Sequence, residues 1–193
     1  QTATGLYAAT FNVTLTDNNG CSIVDNVIID EPNNVLLVST AQIATSCNAG
    51  SDGKATATPA GGTTPYNYLW DSGAQTTATA TGLIPGVYNV SVGDATGCVL
   101  TSNTTTVSEP SAITVTMDST VVSCKGGSDG TASAVGAGGT GAKSFLWSVG
   151  AQTSSTATGL IAGGVIVTVS DTKGCEAIGN ITVTEPDFAL SVT

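Results

Sequence analysis

The side chains with the most chemistry to offer in this 193-residue sequence are five cysteines, at positions 21, 47, 98, 124 and 175. They recur at a fixed spacing: Cys47 and Cys98 are 51 residues apart, and so are Cys124 and Cys175. Such pairs suit either a metal or a disulfide. Tetrahedral zinc needs four sulfur or imidazole ligands, whereas this chain has no histidine and no Cys-x-x-Cys spacing. The reading is therefore two disulfides, Cys47–Cys98 and Cys124–Cys175, with Cys21 the second half of a pair that begins upstream. The alternative is buried free thiols, which packing alone explains poorly when the pair recurs in a small strand-rich unit. Disulfides imply an oxidising, extracellular setting. Closing a loop of this length restricts the unfolded chain by about 4 kcal/mol, comparable to the whole stability of a small domain.

Carboxylates track the cysteines. Asp17, Asp94 and Asp171 each stand four residues before a cysteine, and Asp52 and Asp129 five residues after one. If the disulfides bring these loops to one end of a domain, Asp52 with Asp94, and Asp129 with Asp171, are candidates to share a calcium ion with backbone carbonyls. Turn formation explains the same residues without a metal, and no dense Asp-x-Asp-x-Asp loop occurs. Trp70 and Trp147 end matching apolar runs. An exposed ring there would stack on a sugar, but the favoured reading is a core Trp packed against the disulfide. Asn12, Asn89, Asn103 and Asn180 begin Asn-x-Ser/Thr triplets, which arise readily in so Thr-rich a chain, and Asp118-Ser119-Thr120 is a weak glycosylation-like motif. No lysine recurs, which argues against Lys–Asn isopeptide cross-links. Catalysis finds no imidazole base, no nucleophile elbow and no phosphate-binding glycine loop ahead of a helix.

The elements that must position these residues come from a repeat. The chain superposes on itself at a shift of 77: Thr4-Gly5-Leu6 recurs at Thr81 and Thr158 and Gly20-Cys21 at Gly97 and Gly174, while Glu31-Pro32 recurs within one residue of that shift, at Glu109 and Glu185. Glu-Pro marks the boundaries. Residues 33–110 and 111–186 are then complete repeats, 1–32 is the C-terminal part of another, and 187–193 is the first strand of the next. Within the first complete repeat, apolar and β-branched runs at 35–41, 54–58, 66–70, 76–81, 87–92 and 99–107 alternate with turn clusters at Gly61-Gly62, Asp71-Ser72-Gly73, Pro85-Gly86 and Asp94-Ala95-Thr96-Gly97. No helix-length period occurs. The expected fold is all-β, a tandem series of immunoglobulin-like β-sandwich repeats of about 77 residues.

Composition narrows the partners. A net charge of -10 repels nucleic acid and anionic membrane surfaces, and no apolar run is long enough to span a bilayer. The motifs Cys47-Asn48-Ala49-Gly50-Ser51-Asp52-Gly53, Gly61-Gly62-Thr63-Thr64-Pro65-Tyr66-Asn67-Tyr68-Leu69-Trp70, Thr81-Gly82-Leu83, Pro85-Gly86-Val87-Tyr88 and Asp94-Ala95-Thr96-Gly97-Cys98 stand in a characteristic order before Glu109-Pro110. Taken together they resemble the SprB repeat of Bacteroidetes, found in giant cell-surface adhesins of gliding bacteria. The second repeat departs from it at Gly141-Ala142-Lys143-Ser144-Phe145 and Ala162-Gly163-Gly164-Val165.

The resemblance implies export by the type IX system and a role in adhesion or gliding. The first expectation is a structural and adhesive fibre whose partners are neighbouring repeats, with lateral self-association and surface polysaccharide as further partners. The second is a set of carbohydrate-binding or spacer modules of a secreted polysaccharide-degrading enzyme. No cofactor is expected apart from the calcium already weighed.

Overall fold

A computed structural model describes residues 2–31, 34–101 and 104–188. Pro32, Asn103 and most of the expected strand at 187–193 lie outside the described residues.

Every regular element among the described residues is a strand. The first sandwich begins with β3 (Leu37–Ile43) and β4 (Gly53–Ala60), which pair antiparallel from Leu37↔Ala60 to Ile43↔Lys54. β6 (Thr79–Leu83) pairs on the far side of β4, completing one three-stranded sheet. The facing sheet holds β5 (Asn67–Trp70), β8 (Val90–Gly93) and β9 (Val99–Thr101), continued by the pair β7 (Gly86–Tyr88) and β10 (Thr105–Val107). The second sandwich repeats the plan with β11 (Thr114–Ser119), β12 (Gly130–Ala137) and β14 (Thr156–Leu160) against β13 (Ser144–Trp147), β15 (Gly163–Ser170) and β16 (Glu176–Val183). There the second sheet is unbroken. In the first sandwich the chain breaks at Asn89, whose N–H and side-chain amide both donate to the Asp71 carboxylate, at 3.0 and 3.1 Å.

Alternation along these strands builds the core. Val90 and Val92 are fully buried while Val87 faces solvent, as the period-2 pattern of 87–92 requires. Each core is made of small and β-branched residues around one tryptophan: Ala55, Ala57, Ala80, Val90 and Val92 enclose Trp70, and Ala132, Ala134, Ala157, Val167 and Val169 enclose Trp147. Both tryptophans are 1% exposed. The indole N–H groups donate to Thr77 O at 3.0 Å and Ser154 O at 2.8 Å, so neither polar edge is left unpaired. The expected core role thus holds, but the expected disulfide contact does not, because no cysteine joins either core.

Residues 2–31 form one hairpin, β1 (Ala9–Thr16) with β2 (Ser22–Ile29), in the register Ala9↔Ile29 to Thr16↔Ser22. It is the counterpart of β15 and β16, whose register runs from Gly163↔Val183 to Ser170↔Glu176. Val13 and Leu15 stand where Val167 and Val169 are buried, yet they are 59% and 70% exposed. The hairpin therefore presents the apolar face of a sandwich, and among the described residues no second sheet covers it.

Candidate functional site: the joint between the sandwiches

The cysteine pairing differs from the expectation in a way that strand geometry explains. β4 carries the chain from Cys47 to the opposite end of the sandwich. The short strands β5 and β6, of 4 and 5 residues, then make a single return between them while changing sheets. β7 and β8 carry it away again to the turn that holds Cys98. Three traverses leave Cys47 and Cys98 at opposite poles. An eight-residue strand spans about 26 Å, whereas a disulfide requires Cα atoms within about 7 Å. Neither Cys47–Cys98 nor Cys124–Cys175 is present.

Instead Cys47 of the first sandwich is bonded to Cys175 of the second, with S–S 2.02 Å and Cα–Cα 5.6 Å across a sequence separation of 128. Cys21, Cys98 and Cys124 are free and exposed. The staple holds the joint between two domains, not the core of either one.

On the side of the first sandwich, the Cys47 loop is fixed by local bonds. Thr45 is buried, its N–H donating to Ser108 O at 3.0 Å and its hydroxyl to Cys47 O at 2.8 Å. Ser46 N–H donates to Asp52 Oδ1 at 2.8 Å, and Gly50 N–H to Cys47 O at 3.0 Å. The boundary Glu-Pro takes part directly: Ala49 N–H donates to Glu109 Oε2, and the Asn48 amide to Pro110 O at 3.1 Å. Glu109 thus clasps the cysteine loop at the point where the chain crosses into the next domain.

On the side of the second sandwich, Cys175 closes the β15–β16 turn. Asp171 Oδ1 accepts from Lys173 N and Cys175 N at 2.8 and 3.0 Å, and Oδ2 accepts from Thr140 N at 2.7 Å. One carboxylate therefore joins the turn to the neighbouring β12–β13 loop. The Thr140 N–H foremost, with those of Cys175 and Lys173, holds the Asp171 carboxyl below its usual value against the opposing effect of burial. Asp94 repeats the arrangement at the equivalent turn of the first sandwich, at the pole away from this joint, its carboxyl lowered chiefly by the Thr96 hydroxyl. Asp52 and Asp129 are lowered by Ser46 and Ser123 respectively.

These positions correct the calcium grouping. Asp52 lies beside Cys47 at one pole and Asp94 beside Cys98 at the other, so they do not converge, and the same holds for Asp129 and Asp171. Each carboxylate is already occupied by N–H or hydroxyl donors of its own turn. Among the described residues, no three of His, Cys, Asp and Glu gather as a metal site requires.

Two open clefts flank the joint. One of about 460 Å³ is lined by Cys47, Asn48, Pro110, Ile113, Cys175 and Glu176. The other, of about 450 Å³, is lined by Ile43, Ser46, Glu109, Thr140 and Lys173. Sequence reasoning missed this site because it assigned both halves of each staple to one repeat. The recurrent Glu-Pro beside a Cys-bearing loop was the available signal.

The fold and its joint define a class: small antiparallel β-sandwiches strung in tandem and coupled at their poles. Residues 45–75 match the family model described as SprB repeat, so the first sandwich carries an SprB-type repeat. No curated protein matches the chain. Among solved structures, similar chains include a C-terminal 282-residue fragment of intimin in complex with the translocated intimin receptor intimin-binding domain (15% identity, TM-score 0.35, 76% of this chain and 63% of that one). A structure described as the basis for Dscam isoform specificity is also similar (10%, 0.33, covering 92% and 54%), as is the amphioxus IgVJ-C2 molecule (11%, 0.32, covering 75% and 96%). The chain thus spans under two thirds of the intimin and Dscam chains. No helix among the described residues is long and apolar enough to cross a membrane.

Proposed function

We propose that this chain is a structural segment of an extracellular surface fibre of adhesin type, in which residues 33–110 and 111–186 are whole repeats and 1–32 and 187–193 belong to their neighbours. The observation that supports it most is the Cys47–Cys175 bond across the joint. A bond at that place limits bending between beads. It also fits an oxidising compartment. Both the SprB-type repeat and the acidic surface accord with an exported fibre whose neighbours repel one another. Adhesion to a surface polysaccharide, gliding and type IX export rest on family resemblance. Burial of Trp70 and Trp147 removes those rings as sugar-stacking platforms, the feature on which the carbohydrate-module reading rested.

Backbone relaxation by NMR on the oxidised chain tests the coupling. The expected result is one rotational correlation time shared by both sandwiches, and separate, faster values in a Cys47→Ser, Cys175→Ser double variant. Independent tumbling of the two sandwiches in the oxidised chain would sink the rigid-fibre reading.

A further inference from the structure

The bond between Cys47 and Cys175 is the only one of its kind that the five cysteines can make within this chain, and the geometry around the three free thiols follows the same plan. Cys124 lies in a loop equivalent to that of Cys47. Asp129 accepts from Ser123 N–H at 3.0 Å as Asp52 does from Ser46, and Gly126 N–H donates to Glu185 Oε2 at 2.7 Å as Ala49 does to Glu109. Cys98 closes a turn equivalent to that of Cys175. Asp94 Oδ1 accepts from Cys98 N–H at 3.0 Å, and Oδ2 accepts from Thr63 N–H at 3.0 Å. Cys21 sits in a third such turn, with Asp17 Oδ1 accepting its N–H at 2.9 Å.

We propose that Cys124 and Cys98 are half-sites of the same inter-repeat disulfide, Cys124 for the second cysteine of a following repeat and Cys98 for the first cysteine of a preceding one, with Cys21 a further half-site of the Cys98 kind.

A second, independent feature carries this beyond the presence of thiols. At the pole of the first sandwich that faces residues 2–31, an open cleft of about 500 Å³ is lined by Asn34, Leu36, Gly62, Cys98 and Val99 among others. These are the counterparts, one repeat earlier, of Ser111, Ile113, Gly139, Cys175 and Glu176, which line the cleft at the formed joint. What the cleft at Cys98 lacks is the Cys-Asn loop, supplied at the formed joint by Cys47 and Asn48. Exposure follows the same division. Cys47 and Cys175 are half-buried in the formed joint, whereas Cys98 and Cys124 are exposed. The occupant that fits the cleft is therefore a second copy of the loop carried by residues 46–49.

Repeated along an array, such staples interlock. The bond at Cys47 encloses the chain as far as Cys175, and the next would start at Cys124, inside that loop. Residues 124–175 then lie within two successive staples, so no repeat is held by one bond alone. Formation is a two-electron oxidation. One thiolate displaces a thiol from a low-molecular-weight disulfide, the second thiolate resolves the mixed disulfide, and two protons and two electrons end on the released thiols.

This deepens the fibre reading and rests on it for its setting, but the thiol map can fail while the two coupled sandwiches remain. In the test, a second copy of residues 111–186 is inserted after residue 186 of the full chain. The product is oxidised with a mixture of reduced and oxidised glutathione, alkylated and mapped by mass spectrometry without reduction. The expected map keeps Cys47–Cys175, joins Cys124 to the added copy of Cys175, and leaves Cys21, Cys98 and the added copy of Cys124 alkylated. A bond between Cys124 and Cys175 of its own repeat, or alkylation of both Cys124 and the added Cys175, overturns the proposal. The 193-residue chain mapped in the same way gives a second check: any Cys47–Cys98 bridge there overturns it as well.

Discussion

Single carboxylates organise the cysteine-bearing turns, and their chemistry sets a pH dependence. Asp94 and Asp171 are 5% and 7% exposed, and each accepts hydrogen bonds from its own turn and from the adjacent loop. Donors that favour the ionised form lower the carboxyl in the folded state below its value in the unfolded chain. The unfolded state then binds more protons in the window between the two values. The contribution is complete above the unfolded-state value and is lost as the pH falls through the folded one. An Asp171→Asn variant keeps the shape and loses the charge. Urea midpoints measured from neutral pH downward are expected to place the wild type above the variant, with the gap constant to about pH 4 and closing below it. A gap independent of pH down to the acid limit would count against the carboxylate as its origin. The turn role of these residues was legible from Asp-x-x-Gly-Cys alone. The expected grouping of Asp52 with Asp94, and of Asp129 with Asp171, failed because it depended on which pole each loop occupies.

At the scale of elements, the runs and turns of the sequence locate most strands: 54–58 lies within β4, 66–70 covers β5, and 87–92 overlaps β7 and β8. What the pattern conceals is length. β5 and β6 look like two strands and act as one traverse, since the first ends at Trp70 in a turn closed by its backbone N–H donating to Gln75 O at 3.0 Å. Counting four traverses between Cys47 and Cys98 puts them at one pole, and counting three separates them. Tandem repetition adds a degeneracy, because Cys98 and Cys175 are equivalent positions one period apart and both satisfy the recurrent spacing. Close approach of elements is a second thing the pattern hides. A Cβ on Gly138, at φ +77°, would lie 2.0 Å from Ala112 O, where the β12–β13 turn meets the segment leading into β11. Gly159, at φ +70°, has only Ser128 O nearby, at 3.9 Å. Substitution by alanine at Gly159 is expected to cost about 1–2 kcal/mol for the left-handed backbone. At Gly138 the displaced backbone raises the loss to roughly 2–4 kcal/mol. Chemical denaturation of the two variants checks the order, and equal losses would refute the steric account.

For the whole molecule, the position of the staple decides how the chain carries tension. An intradomain bond would protect each sandwich separately. The Cys47–Cys175 bond instead offers a covalent path that bypasses 128 residue steps of backbone, including most of both sandwiches. Force applied at the two ends passes through sulfur once the short outer segments are taut, so residues 48–174 cannot be drawn out even if both cores open. In the unfolded chain the same bond removes closure entropy equivalent to about 5 kcal/mol for a loop of this size. Pulling single molecules from both ends measures the bypass directly. With the bond intact, the fully extended chain is expected to fall short of the reduced one by about 420–460 Å, the reach of the enclosed backbone at 3.3–3.6 Å per residue. Adding reductant under load should release that length in one step. A staple within one repeat, 51 residues apart, would hide only about 170–180 Å, so the size of the step distinguishes a fibre tied across its joints from one tied inside its beads.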